Sequence, residues 1–138
     1  MQLKVGIEGL SFDSAHYTKG VTKKCLNLHG HTYTVDVEVE GEVSEEMDMV
    51  MDFGEIKELA EKVLEKWDHK FLVSGDEADR IETEGPFNFE PKIMEGEPTT
   101  ENIATEIAGE IFDELELPVE VKLYEGKKNY AVSKCSGK

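Results

Sequence analysis

The stretch His29-Gly30-His31, running into Thr32-Tyr33-Thr34-Val35-Asp36-Val37-Glu38-Val39, constrains this chain more than any other. Tyr33, Val35, Val37 and Val39 alternate with polar residues, the period of a strand with one buried face. Residues two apart on a strand share a face and lie roughly 6.5–7 Å apart along it. His29 and His31 are in phase with the apolar set, so two imidazoles fall on the face that the strand buries. A buried imidazole needs a partner. A pair at this spacing can converge on one metal ion, with Gly30 leaving room for close approach and Cys25 just upstream. The alternative is one hydrogen-bonded core histidine and one histidine at a strand end.

The first strand points to the same place. Leu3, Val5 and Ile7 alternate with polar residues, and the phase then slips by one to Leu10 and Phe12. Gly9 is placed for a β-bulge, which inserts a residue and re-aims the side chains beyond it. After the slip, Phe12, Ser14 and His16 share a face, making His16 a third candidate ligand beside His29 and His31.

Further on, Asp52 with Glu55 reads as a capping box. It opens a helix whose apolar stripe is Ile56, Leu59, Ala60, Val63, Leu64 and Trp67. Asp68-His69 comes next, either as ordinary helix C-terminal chemistry or as an oriented acid/base pair. The second strand is expected to end near Val39, with Gly41 in a turn. Phe71 to Pro98 carries no clean period and is dense in acidic residues, so a long acidic loop is expected at about 74–97. A second helix opens at Pro98-Thr99-Thr100-Glu101-Asn102, with Thr99 as N-cap, and carries Ile103, Ile107, Ile111 and Leu115. Two strands complete the chain, Val119 to Glu125 and Asn129 to Cys135, around Gly126-Lys127-Lys128. Glu125 ends an apolar row: it is either exposed at a strand end or buried and paired. The order predicts one domain over 1–138, an α+β fold with a four-stranded antiparallel sheet covered on one face by two helices.

Composition removes several function classes. The formal net charge of −16 argues against nucleic acid, which requires a basic face. No apolar run approaches the ~20 residues of a membrane span, and Met1-Gln2-Leu3-Lys4 has no signal-peptide pattern, so a cytoplasmic location without membrane partners is expected. Two cysteines, Cys25 and Cys135, make no disulfide framework. A small anionic substrate stays open if basic residues gather locally. Lys19, Lys23 and Lys24 flank Cys25, and Lys127 and Lys128 lie in the later turn.

Six blocks now form a pattern: Phe12-Asp13-Ser14-Ala15-His16, Cys25-Leu26-Asn27-Leu28-His29-Gly30-His31, Met51-Asp52-Phe53, Trp67-Asp68-His69-Lys70-Phe71-Leu72, Pro98-Thr99-Thr100-Glu101-Asn102 and Leu123-Tyr124-Glu125. Over nearly its whole length the chain resembles the 6-pyruvoyl-tetrahydropterin synthase family. Within it, the three residues between Cys25 and His29 resemble the carboxy-forming branch of the deazapurine (queuosine and archaeosine) pathway. The resemblance implies the tunnelling fold, with trimers whose sheets join into a β-barrel, homohexamers of two stacked trimers, and active sites at subunit interfaces. It implies Zn2+ on His16, His29 and His31, Cys25 as general base, and Asp68 and His69 as a proton relay. Glu125 would anchor the guanidine-like edge of a pterin, with Thr99, Thr100 and Glu101 lining its pocket. Lys19, Lys23, Lys24 and Lys127 would meet a triphosphate. The implied reaction is a zinc-dependent lyase step on 7,8-dihydroneopterin triphosphate, giving 6-carboxy-5,6,7,8-tetrahydropterin, acetaldehyde and triphosphate. The alternatives are the pyruvoyl-forming elimination of triphosphate and a non-catalytic pterin-binding zinc protein. Gly126 stands where family members often have Thr after the anchoring Glu.

Overall fold

The computed structural model describes residues 1–20 and 22–137. The elements run β1 (Gln2–His16), α1 (Lys23–Leu26), β2 (His29–Glu42), α2 (Phe53–Leu64), β3 (Lys70–Ser74), α3 (Gly75–Ala78), β4 (Pro91–Met94), α4 (Thr100–Leu115), β5 (Val119–Glu125) and β6 (Asn129–Cys135).

β1 and β2 pair antiparallel, and the register slips between Ile7↔Val37 and Leu10↔Val35, where the phase change in the sequence places a bulge. Gly9 sits there at φ +81, and its N–H donates to Asp36 Oδ1 at 2.9 Å. That left-handed backbone suits glycine, which has no Cβ to clash. Beyond the bulge Phe12, Ser14 and His16 turn inward and are buried.

The four-stranded antiparallel expectation is corrected: the mixed sheet has six strands in the order β4-β3-β1-β2-β5-β6. β3 runs parallel to β1, and β4 parallel to β3. Neither alternates cleanly. Leu72, Val73 and Ser74 are buried in succession, and a strand buried on both faces looks like any short apolar run. The partners of β3 are also remote in sequence, Ser14 with Lys70 and Ala15 with Phe71. The acidic stretch at 74–97 therefore carries α3 and β4, and 79–90 and 95–97 lack helix and strand. β2 runs on to Glu42, so Gly41 is buried in the strand rather than placed in a turn.

α2 ends at Leu64, short of Trp67. Asp52 is its N-cap but makes no side-chain capping bond; its carbonyl accepts the N–H groups of Glu55 and Ile56. At α4 the Thr99 hydroxyl oxygen does accept the Asn102 N–H, at 3.2 Å. Both long helices pack on one face of the sheet. Ile56, Ala60 and Val63 of α2 and Ile103, Ile107 and Ile111 of α4 meet Val35, Val37, Val39, Val121 and Leu123. No helix among the described residues is long and apolar enough to cross a membrane.

Trp67 ties these layers together below the imidazoles. Its ring N–H donates to Glu110 Oε1 at 2.8 Å, and Lys92 Nζ reaches the other oxygen at 3.0 Å while lying 4.8 Å over the indole. Its carbonyl accepts the Ser14 hydroxyl, whose oxygen accepts the Lys70 N–H at 3.2 Å. One residue thus joins α4, β4 and β1. Trp67→Ala is expected to cost about 3–5 kcal/mol, the range for emptying a large aromatic site. Urea unfolding reads it as a lower midpoint with an unchanged slope.

Candidate metal centre and active site

Strand register brings the imidazoles together. His16 lies opposite His29 and Ser14 opposite His31, so the three rings cluster at one end of the β1–β2 pair. Ring centroids are 4.7 Å apart for His16–His29, 5.0 Å for His16–His31 and 4.9 Å for His29–His31. One ligand atom from each falls within 4.8 Å of the others. His16 is buried, and the other two are half-buried.

The hydrogen bonds decide what the cluster can hold. Nδ1 of His16 lies 2.8 Å from the Pro98 carbonyl, and Nδ1 of His29 lies 2.6 Å from the Asn27 carbonyl. A carbonyl only accepts, so each Nδ1 carries a proton, and in the neutral ring each Nε2 is left with a lone pair. Those two Nε2 atoms face each other at 3.1 Å. Two lone pairs at that distance repel unless a cation lies between them. A metal held by Nε2, with Nδ1–H tied to a carbonyl, is the usual arrangement of a ligating histidine. Burial lowers the pKa of His16 below its ordinary value, partly offset by the Pro98 bond and the nearby Glu125 charge. It therefore stays neutral and able to ligate at neutral pH.

Glu125 pairs with Tyr33 across β2 and β5. Its Oε1 stands 3.7 Å from Nε2 of both His16 and His31. The carboxylate at the end of the apolar row thus faces the imidazoles. Pro98 puts the start of α4 against His16, and Thr99 lines a cleft of about 510 Å³ together with Thr18, Gly20, Glu77 and Glu97. The Thr99 oxygen is taken by its capping bond, and Glu101 is exposed.

Cys25 sits on α1 beside this cleft. Its carbonyl accepts the Thr18 N–H at 2.7 Å, and its Sγ is 3.5 Å from the Thr22 hydroxyl. A Cβ on Gly20 would lie 2.8 Å from that sulfur, so the thiol packs where only glycine fits. Hydrogen bonds from Thr22 and then Thr18 hold its pKa below the ordinary thiol value, which favours the thiolate. Lys19 is paired with Glu77 at 3.4 Å, while Lys23, Lys24 and Lys127 are exposed.

Asp68 and His69 form an oriented pair. Asp68 Oδ2 lies 3.0 Å from His69 Nδ1, and Asp68 Oδ1 accepts the Asp13 N–H at 2.9 Å. That backbone bond, ahead of the His69 contact, holds the Asp68 pKa below the usual carboxylate range. His69 adopts φ +57, and its N–H donates to the Asp13 carbonyl at 2.6 Å. Neither residue is among the hydrogen-bond partners of the thiol. His69 opens on a separate groove of about 660 Å³. The groove is floored by Asp13, Ala15, Gly30 and Thr32, walled by Phe87 and Phe89, and reaches His31. Those floor positions alternate along β1 and β2 with the imidazole positions, so the dyad serves the opposite face of the sheet.

Two contributors were not singled out from sequence. Ser14 bridges Trp67 and Lys70, and Glu77 holds the segment before α1. No local signal marks these roles, because Trp67 and Lys70 lie more than fifty residues from Ser14, and Tyr17 and Lys19 more than fifty from Glu77.

Comparison with known proteins gives the family and the fold. The profile of the family described as 6-pyruvoyl tetrahydropterin synthase matches residues 7–135. The 6-carboxy-5,6,7,8-tetrahydropterin synthase of Rickettsia felis is 34% identical over 108 residues, covering 77% of this chain and 78% of its own. The 6-pyruvoyl tetrahydrobiopterin synthase of Dictyostelium discoideum is 36% identical over 121 residues, covering 86% and 79%. The structure of 6-pyruvoyl tetrahydropterin synthase from Plasmodium falciparum superposes with a TM-score of 0.78 at 23% identity, covering 97% of this chain and 98% of that one.

Proposed function

The chain belongs to the 6-pyruvoyl tetrahydropterin synthase family, and from that membership we propose a zinc-dependent lyase acting on 7,8-dihydroneopterin triphosphate. The products are 6-carboxy-5,6,7,8-tetrahydropterin, acetaldehyde and triphosphate. The observation that carries this reading is the facing pair of Nε2 atoms on His16 and His29, 3.1 Å apart, with each Nδ1 committed to a carbonyl. With His31 they offer three nitrogen ligands and leave a further position for substrate, the pattern of catalytic zinc. Bound there, zinc supplies Lewis acidity to the side-chain hydroxyls of the substrate and to the carbons beside them.

The remaining roles rest on what each residue can hold or move. Cys25, its thiolate favoured by Thr22 and Thr18, takes a proton from the substrate side chain. Asp68 engages Nδ1–H of His69, so its Nε2 accepts and returns protons. The Glu125 carboxylate accepts two parallel N–H bonds from the guanidine-like edge of the pterin, beside the imidazoles it faces. Thr99, Thr100 and Glu101 close the pocket from the start of α4. The thiol is held against Thr18 and Gly20 of one cleft and the dyad opens on a separate groove, which supports sites completed between subunits of a homohexamer. The open edge strands β4 and β6, with exposed Ile93, Tyr130 and Val132, support sheets joined into a trimeric barrel.

A second reading, formation of the pyruvoyl product with release of triphosphate alone, is favoured by the Dictyostelium relative. Purified, zinc-loaded protein incubated with 7,8-dihydroneopterin triphosphate separates the two. Acetaldehyde released together with triphosphate is the expected result. Triphosphate without acetaldehyde selects the second reading, and neither product removes both.

A further inference from the structure

We propose that Glu77, in the segment between β3 and β4, is a positioning residue for the Cys25 thiol and acts through the turn Tyr17–Gly20. The inference deepens the reading of Cys25 as the base and rests on it.

The Glu77 carboxylate is buried and fully engaged. Its Oε1 accepts the Tyr17 hydroxyl at 3.0 Å. Its Oε2 meets Arg80 Nη1 at 3.0 Å and Lys19 Nζ at 3.4 Å. A buried carboxylate is costly unless paired, and these contacts fix it in one direction. Its own backbone is fixed as well, because the Glu77 N–H donates to the Ser74 hydroxyl that caps α3. Arg80 is the only arginine in the chain and lies three residues further on. Tyr17 is held at both ends, by this bond and by its ring stacked on Phe71 at 6.0 Å and 27°.

The residues held by Glu77 interleave with the residues that touch Cys25. Tyr17 and Lys19 go to Glu77. Thr18, between them, donates its N–H to the Cys25 carbonyl at 2.7 Å, and its side chain helps hold the thiol pKa down. Gly20, next along, backs onto Sγ so closely that a Cβ would lie 2.8 Å from it. A turn tied at Tyr17, with Lys19 paired to the same carboxylate, resists displacement at 18 and 20, so the carboxylate helps set where the sulfur sits. Asp76, Glu95 and Glu97 line the same cleft, and none of them is bonded to this turn.

The test reads the thiol directly. Iodoacetamide alkylation of zinc-loaded protein is monitored across pH, with the Cys25 peptide resolved from the Cys135 peptide by mass spectrometry. In Glu77→Ala, the Cys25 profile is expected to move to higher pH, while bound zinc stays at the parent level. With the pterin triphosphate, kcat falls on the order of tenfold, the scale of a small misplacement of a reacting group, with little change in KM. Glu77→Gln, which keeps an acceptor for Tyr17, recovers part of both effects. A Glu77→Ala profile superimposable on the parent overturns the proposal. If Glu77→Ala does not fold, Tyr17→Phe is read in the same way: a shifted profile supports the proposal and an unshifted one overturns it. A shifted profile in a protein whose parent has no turnover upholds the positioning and removes the assigned reaction instead.

Discussion

His29→Ala is expected to lose bound zinc and to lower kcat/KM by on the order of 10³-fold, since Lewis-acid stabilisation of several kcal/mol goes with the metal. The fold should survive. His29 is half-buried at the open end of β2, and the core lies beyond it, from Phe12 stacked on Tyr33 at 4.9 Å to Leu123. Removing the ring also removes the facing lone pairs, so the metal-free variant should unfold no earlier than the metal-free parent. Zinc content by elemental analysis and the thermal midpoint with and without chelator check both statements. Full activity in a variant that holds no zinc would exclude the metal from the reaction.

The parent carries a pH signature of the same cluster. Burial lowers the His16 pKa from its ordinary value of 6.5. The unfolded chain therefore binds a proton at this site before the folded chain does. Metal-free protein accordingly keeps the full contribution above about pH 6.5 and loses stability as pH falls from there toward the lower folded value. Zinc opposes the same proton, so acidification should release it over that range. The midpoint–pH curve of His16→Asn should lack this slope.

The parts of the site readable from sequence are those fixed by a local period. Tyr33 to Val39 alternate, so the phase of His29 and His31 is set at once, and Gly9 marks the slip that brings His16 to the same face. Asp68 beside His69 is visible as a pair of residues. Which side of the sheet it serves depends on β3 pairing with β1, a contact between positions 14 and 70 that no local pattern announces. The same holds for Glu125: it meets the imidazoles only because β5 lies next to β2. Glu77 was illegible for a related reason, since one glutamate among many acidic residues differs from its neighbours only in finding Tyr17 and Lys19.

The largest recovery of activity is expected from mixing two inactive variants, Cys25→Ala and His69→Ala. Each alone should fall close to the uncatalysed rate, one lacking the thiolate and the other the imidazole that Asp68 orients at 3.0 Å. The thiol is held from the Tyr17–Gly20 side of the imidazole cluster. The dyad is strapped to the backbone of Asp13, whose side chain faces away from Phe12 and His16, and it opens on the groove floored by Gly30 and Thr32. In the proposed reading, in which sites are completed between subunits, the relay takes the thiol from one subunit and the dyad from another. In a mixed assembly, a His69→Ala chain brings an intact thiol to the intact dyad of a Cys25→Ala chain, and those sites are complete. Co-refolding the two variants should restore a measurable fraction of parental turnover, while each refolded alone stays inactive. If both elements belonged to one subunit, every chain in the mixture would carry one lesion in its own site, and no ratio of the two would recover activity.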